Sequence, residues 1–237
     1  MVRLFKEKEV IAMKKNIIIV TIIFFAIIIF FLIYSKTKIN NDLSDINLNK
    51  AKSLMIVAHP DDETIWGGAH LLEDDYLVIC VTCGANKKRV EELKKAMKIS
   101  NDQYIALGYP NRGKYDIKPW ENEENDLIND LKEIIKAKKW NVIVTHNLEG
   151  EYGHPHHKKT NEIVTNLYNE LNIESDLYFF GKYYTKDSIK EVEQEVINKD
   201  YQKDKIKMID VYKSQSFIKT SFNHMFDYEQ WAKYEKE

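Results

Sequence analysis

Cysteine is nearly absent: Cys80 and Cys83 are the two in 237 residues, too few for a disulfide framework or a metal site of four thiolates. They stand three apart in a strand pattern, which points them to opposite faces, so both read as small buried hydrophobes and not as a redox pair. Glycine and proline are also scarce, eight and four, which excludes collagenous, repeat and low-complexity chains. There is no excess of positive charge. Lys and Arg number 35 against 37 Asp and Glu, a net charge of -2, with no basic stripe to neutralise phosphates, so nucleic acid is not an expected partner. A Walker loop, a nucleophile elbow, a His-Glu-x-x-His helix and a dinucleotide fingerprint are missing too. What is present is 44% hydrophobic and 30% charged, a balance that fills a core, in a length that suits one domain with an appendage.

One long hydrophobic run stands out. Ile17 to Tyr34 is 18 residues without a charge, about 27 Å as a helix against a bilayer core of about 30 Å, and it predicts one transmembrane helix. Leu32-Ile33-Tyr34-Ser35-Lys36 offers no small-x-small cleavage site, so an uncleaved anchor is expected over a signal peptide. Arg3, Lys6, Lys8, Lys14 and Lys15 precede the run and only Lys36 and Lys38 follow it closely. That bias predicts a single-pass protein of the cell membrane with the downstream domain extracytoplasmic, although a start at Met13 weakens it. The expected divisions are a tail and anchor over 1–35, a polar linker over 36–52 and a folded domain over 53–237.

Within that domain, apolar runs of strand length alternate with helical patterns. The strands are Leu54 to Ala58, Tyr76 to Val81, Tyr104 to Leu107, Val142 to Thr145 and Leu177 to Phe180. Val90, Leu93 and Met97 mark one amphipathic helix, Leu127, Leu131, Ile134 and Ile135 a second, and Ile163, Val164, Leu167 and Leu171 a third. The alternation predicts an α/β fold, a Rossmann-like, mostly parallel sheet flanked by helices. Ligands in such sheets bind beyond the carboxyl ends of the strands.

Two polar clusters fall there. His59-Pro60-Asp61-Asp62-Glu63 follows the first strand, and Tyr152-Gly153-His154-Pro155-His156-His157 follows the strand that ends near His146. A lone strand-end histidine is usually a satisfied polar residue, and an Asp pair opening a helix is usually a cap. Together the clusters bring imidazoles and carboxylates to one sheet edge, the donor mix that zinc prefers, and two imidazoles plus one Asp leave a coordination position open for water.

These two segments resemble the PIG-L/LmbE-like family of zinc-dependent N-acetylglucosaminyl deacetylases. Thr82-Cys83-Gly84 with Arg89 and Glu92, Leu107-Gly108-Tyr109-Pro110, and Tyr212-Lys213-Ser214-Gln215 resemble further family segments in the same order. The resemblance implies one catalytic Zn2+ held by His59, Asp62 and His157, with Asp61 as general base for the attacking water. It implies His154 beside the developing oxyanion and leaving amine, and an N-acetylated, GlcNAc-type sugar or glycoconjugate as substrate, released as acetate and free amine. Elementary chemistry agrees, because an amide carbonyl is a poor electrophile that needs polarisation and an activated water. Two other readings stand beside it: a catalytically silent carbohydrate-binding relative, and an amidase acting on a non-sugar amide. An anchored site would meet envelope glycans, lipid-linked sugars or exopolysaccharide.

Supporting residues carry two readings each. Glu63 caps the helix or orients a ligand histidine. Arg89 is a substrate-binding candidate or pairs with Glu92. Tyr152 closes over the substrate or is an exposed loop aromatic, and Trp66 and Trp120 are sugar platforms or buried core. His156 stands where the family often has Asp, which puts a cationic role for His154 in doubt, and Asn111 stands where an Asp is frequent. His70, His146 and His224 have no evident partner motif. The charged segment from Asp187 to Lys205 either covers the pocket or packs on the sheet.

Overall fold

The computed structural model describes residues 13–29, 43–113, 115–193 and 196–236. The chain divides into two compact units, Met1–Asp45 and Ile46–Glu237. The described part of the first is a helix over 13–29, α1. Among the described residues no helix is long and apolar enough to cross a membrane. At about 1.5 Å per residue, the described part of α1 falls short of the ~30 Å hydrocarbon core, and Lys14, Lys15 and Asn16 occupy its first described turn. The expected single-pass anchor, and with it the cell-membrane location and extracytoplasmic domain, are corrected on that finding. Positions 30–34 of the hydrophobic run lie outside the described residues, as do 1–12 and the linker positions 36–42.

In the second unit, β1 (Ser53–Val57), β2 (Tyr76–Thr82), β3 (Gln103–Tyr109), β4 (Val142–Thr145) and β5 (Asp176–Phe180) occupy the five expected runs, each matched to within two residues at its ends. Every residue of β1 and β2 is buried, the pattern of parallel strands covered on both faces, where no alternation survives. The sheet order is β3-β2-β1-β4-β5-β6. All pairings are parallel except the last, in which β6 (Trp231–Lys233) runs antiparallel to β5. Three residues are too few for a periodic signal, and β6 has none in the sequence.

The order reverses between β1 and β4, which pair through Leu54 with Ile143 and Ile56 with Thr145. A crevice forms at such a switch point because the crossovers leave it in opposite directions. Both polar clusters open there. The first leads into α2 (Asp62–Glu73), whose first turn carries Asp62 and Glu63, acidic residues that suit the positive end of a helix dipole. The second leads into α6 (Pro155–Glu170), capped by His154, which accepts from the His156 N–H through its side chain, with proline in the first turn.

Two further helices sit where the periodicity put them, α3 (Lys87–Ser100) and α4 (Glu124–Lys136), with Leu93, Met97, Leu127, Leu131, Ile134 and Ile135 buried. The charged segment resolves into a short 3-10 turn at Ser188–Glu191 and a helix, here numbered after the one-turn α5 (Gly150–Gly153) as α7 (Lys199–Val211). α7 packs on α2 and α3.

A buried ion pair ties this packing together. Lys205 of α7 and Glu229 are 2.6 Å apart, both side chains wholly buried. Glu229 also accepts from the Ala69 N–H at 2.7 Å and meets His70 Nδ1 at 2.7 Å. The Trp231 ring stacks on His70 at 3.6 Å and its indole N–H donates to the Trp66 carbonyl at 3.0 Å. The C-terminal strand is thereby clamped to the helix that carries Asp62. Glu229→Gln leaves the Lys205 ammonium buried without its counter-charge, and a loss of about 3–5 kcal/mol is expected in urea denaturation.

Candidate active site

β1 delivers the first cluster through a strained turn. Asp61 has φ 126°, a region that non-glycine residues avoid and that costs on the order of 1–3 kcal/mol. The Glu63 carboxylate holds it there by accepting from the Asp61 N–H at 2.8 Å, and Glu63 in turn accepts from Thr64 Oγ1 and from the Tyr212 hydroxyl. Of its two expected roles, Glu63 takes the capping one: its carboxylate reaches back to the N–H of the N-cap residue Asp61 and so braces the turn. Thr82 Oγ1 donates to the Ala58 carbonyl at 2.8 Å, and Gly84 passes so close to β3 that a Cβ would strike the Ala106 carbonyl oxygen and lie 2.7 Å from that of Leu107. Ser214 donates through N and Oγ to Glu92.

The turn separates the two neighbouring aspartates. Asp61 faces Arg89, with Oδ2 3.2 Å from Nη2, while Arg89 also donates to the Pro60 carbonyl. The expected alternative pairing of Arg89 with Glu92 is therefore not formed. Asp62 turns its Oδ2 towards histidines: the His59 N–H donates to it at 2.9 Å, His59 Nδ1 lies at 3.1 Å and His157 Nε2 at 3.3 Å. Burial and the charge of Asp62 raise the Asp61 carboxyl well above its ordinary range, against the opposing pull of Arg89. Burial acts on Asp62 in the same sense, but His157 and His59 outweigh it and hold that carboxyl well below the ordinary range.

The second cluster rests on a carboxylate that the sequence reading did not single out. Glu151 Oε2 takes His157 Nδ1 at 2.5 Å and His146 Nδ1 at 3.0 Å, and its other oxygen accepts from the Asn147 N–H. Although buried, Glu151 is pulled down to about 2 by these two imidazoles. Burial pushes the other way on His157, yet Asp62 and Glu151 raise its pKa to about 10. The signal for Glu151 was an acidic residue within the stretch 149–153, just ahead of the histidine triplet.

The tautomers follow from these partners. His157 Nδ1–H donates to Glu151, which leaves Nε2, a buried nitrogen without a hydrogen-bond partner 3.3 Å from Asp62 Oδ2, as the place taken by the extra proton that the raised pKa implies or, with that proton displaced, by a metal ion. His156 meets the Asp116 carboxylate through Nε2 at 3.3 Å and His59 Nε2 through Nδ1 at 2.9 Å. A carboxylate only accepts, so His156 donates from Nε2, accepts at Nδ1, and obliges His59 to donate from its own Nε2. His59 Nδ1 is then a lone pair 3.1 Å from a carboxylate oxygen. Two imidazole nitrogens thus face one anionic oxygen, and with both rings neutral the arrangement needs a positive charge between them, the place that a proton on His157 Nε2 or a metal ion fills. The 3.1 and 3.3 Å separations from Asp62 Oδ2 are close to the ~3.3 Å between donors on arms of about 2.0–2.2 Å in a tetrahedral zinc site.

His59, His154 and His157 form one group with donor atoms within 4.8 Å of one another, and Asp62, His146 and His157 form another. Hydrogen bonding distinguishes them. His146 spends its Nε2 lone pair on the Ala58 N–H at 2.9 Å and its Nδ1–H on Glu151, so it serves as a wall, stacked on the His157 ring at 3.9 Å. Sequence reasoning left His146 without a partner, since Glu151 and Ala58 reach it only in the fold. His154 accepts from the His156 N–H through Nδ1, leaving Nε2–H as its donor. Burial, then His157 and His59, depress its pKa to about 3, which favours the neutral ring and runs with the doubt that His156 cast on a cationic role.

His59, Asp61, Asp62, Arg89, Tyr152 and His154 all line one cavity of about 170 Å³. Arg89, Asn111 and Gln215 also line a groove of about 790 Å³ that continues from it past Cys83 and the first turn of α3. Cys80 is buried, but Cys83 is half-buried at this groove, past the end of the strand and at φ 70°. Tyr152 is 43% exposed, with its ring 5.4 Å from that of His157. Trp66 and Trp120 are both buried; Trp66 borders the cavity and Trp120 packs on His156 at 4.8 Å.

Residues 54–168 match the protein-family model described as "PIG-L: GlcNAc-PI de-N-acetylase". The matched stretch is just under half of the chain. The match runs from β1 through α6 and so contains both histidine clusters. "Uncharacterized protein L374" of Acanthamoeba polyphaga mimivirus is 34% identical over 134 residues, 50% of this chain and 58% of that protein, so the chain spans little more than half of that relative. Among solved structures, N,N'-diacetylchitobiose deacetylase from Pyrococcus horikoshii aligns at TM-score 0.59 and 16% identity, over 78% of this chain and 85% of that one. The 4-carboxy-2-hydroxymuconate hydratase GalB of Pseudomonas putida KT2440 aligns at TM-score 0.56 and 14% identity, over 73% and 82%. At such identities the likeness is one of fold. A deacetylase and a hydratase share it, so the fold alone does not choose the reaction.

Removing the support under the histidines has a defined consequence. Glu151→Ala orphans the Nδ1–H groups of His146 and His157, at about 1–3 kcal/mol for each buried donor, and a chemical denaturation curve will show the midpoint falling accordingly.

Proposed function

We propose that this chain is a metal-dependent de-N-acetylase that hydrolyses the acetamide of a GlcNAc-type sugar or glycoconjugate to acetate and a free amine. The observation that carries the reading is the convergence of two ring nitrogens, His59 Nδ1 and His157 Nε2, on Asp62 Oδ2 beside a second carboxylate of opposite protonation tendency. The PIG-L match over the same residues supports it. His59, Asp62 and His157 would hold one Zn2+, which when bound polarises an amide carbonyl and lowers the pKa of water from about 15.7 towards 7.

The remaining chemistry belongs to the chain. Asp61, separated from Asp62 by the strained turn and steadied by Arg89, takes a proton from the attacking water as its oxygen bonds to the carbonyl carbon. That proton then passes to the departing nitrogen as the C–N bond breaks. Two carboxylates with their pKa values driven apart are the usual sign of divided roles, one kept ionised and one able to carry a proton. His154 offers a neutral Nε2–H to the carbonyl oxygen as negative charge grows there, the kind of fixed donor worth about 2.7–4 kcal/mol in other hydrolases. The Tyr152 hydroxyl, at the same cavity and kept protonated by burial and by Asp62 and Asp61, is a second donor in reach of substrate. Arg89 contacts the substrate from the seam between cavity and groove, and the groove takes the part of the substrate beyond the acetamide.

Asp61→Asn is expected to keep its metal, measured by elemental analysis, and to lose acetate release by about 10²- to 10⁴-fold. Undiminished turnover removes Asp61 from the mechanism, while retained metal with no turnover in the wild type favours a carbohydrate-binding relative. Acetate release should also stop on chelation and return with Zn2+; indifference to the chelator defeats the metal reading. Testing a panel of N-acetylated sugars against small non-sugar amides separates the deacetylase from an amidase: faster turnover of the latter overturns the sugar assignment.

A further inference from the structure

The loop between β3 and α4 reaches into the site through a residue that the proposed reaction does not use. Asp116 lies on that loop with its side chain 10% exposed, and its Oδ2 accepts from His156 Nε2 at 3.3 Å. His156 is wholly buried. Its other nitrogen meets His59 Nε2 at 2.9 Å, and His59 presents Nδ1 to Asp62 Oδ2 at 3.1 Å. The line Asp116, His156, His59, Asp62 thus begins and ends in a carboxylate with two imidazoles between. Trp120, from the same loop, lies against the His156 ring at 4.8 Å and donates its indole N–H to the Pro110 carbonyl at 2.9 Å, so the ring has little freedom to turn.

We propose that Asp116 and His156 are positioning residues that fix which nitrogen of His59 carries its hydrogen, and so hold Nδ1 ready as a metal donor. The reason is the directionality of hydrogen bonds. Asp116 fixes His156 as a donor at Nε2 and an acceptor at Nδ1, and that acceptor fixes His59 as a donor at Nε2. Without Asp116, His156 is free to donate from Nδ1, which turns the hydrogen bond with His59 around and removes the preference for a bare Nδ1. Partners of this kind, one bond removed from a ligand, are typically worth about 10- to 100-fold in metal affinity. Arg112, 3.8 Å from Asp116 Oδ2, is held more closely by Glu123 at 2.9 Å and keeps that partner when Asp116 is lost.

The proposal rests on the metal site described above, and the test separates the two. The full chain is stripped of metal, and the dissociation constant for Co2+ is measured by chelator competition, together with the visible absorption of the Co2+-loaded protein. Asp116→Ala should weaken Co2+ binding about 10- to 100-fold and shift the absorption bands. Asp116→Asn, whose amide oxygen still accepts, should fall between the two. The melting temperature of the metal-free proteins checks folding, and if the Ala variant is unfolded Asp116→Leu, which keeps the volume and removes the acceptor, decides, an unchanged affinity and spectrum counting against the proposal. Wild-type binding with both variants within about two-fold and spectrally identical overturns the positioning role alone. A wild type that binds no Co2+ overturns it together with the metal site.

Discussion

Asp62 Oδ2 receives a backbone N–H and faces two imidazole nitrogens whose own hydrogens are committed elsewhere, one to Glu151 and the other to His156. Acceptor against acceptor in a buried place is unfavourable unless something positive lies between, and the cost of an unpaired buried polar group is what makes the site specific. The surrounding parts of the sheet edge are arranged to maintain that tension. Asn147 shapes the turn that presents Glu151 by accepting from two of its N–H groups, and Asn161 donates to the His146 carbonyl. Thr145 and Thr82 tie β4 and β2 to the end of β1 through side-chain hydroxyls. A rigid wall lets the histidines keep orientations that they would not choose in water.

The adjacent aspartates show how one turn creates two chemical environments. They differ by a single position in the chain, yet the positive φ of Asp61 sends its side chain to a guanidinium and leaves Asp62 among imidazoles. The strain is borne by hydrogen bonds from distant segments, since Glu63 braces the turn and Tyr212, some 149 residues later, braces Glu63. Conformations of this type persist only where surrounding contacts over-determine them. The late Tyr-Lys-Ser-Gln segment thus supports the site from two sides, with Tyr212 steadying the first cluster while Ser214 secures α3 through Glu92.

A sheet that a deacetylase and a hydratase both use supplies the crevice and leaves the chemistry to the side chains at its rim. The N-terminal run illustrates a related limit. Hydrophobicity along a segment measures its preference for leaving water, whereas spanning a bilayer also demands an unbroken apolar helix of sufficient length, and α1 does not meet that demand within the described residues.

Strand positions, the parallel α/β order and the two polar clusters were legible in the sequence because each depends on neighbours in the chain: an apolar run, a period of about 3.6, a histidine beside an aspartate. The two clusters could be joined at one sheet edge from topology alone. Glu151, His146 and Asp116 could not be assigned, because their partners come from other segments and no local spacing announces them. The charge state of His154 and the pairing of Arg89 with Asp61 were decided in the same way, by burial and by groups brought near only on folding. The sequence by itself thus determined which donors and carboxylates are available and at which strand ends they stand. Tertiary structure alone decided which nitrogen of each imidazole bears a proton and where each lone pair points, since hydrogen bonds are directional and their partners are set by distance in space, whatever the separation along the chain.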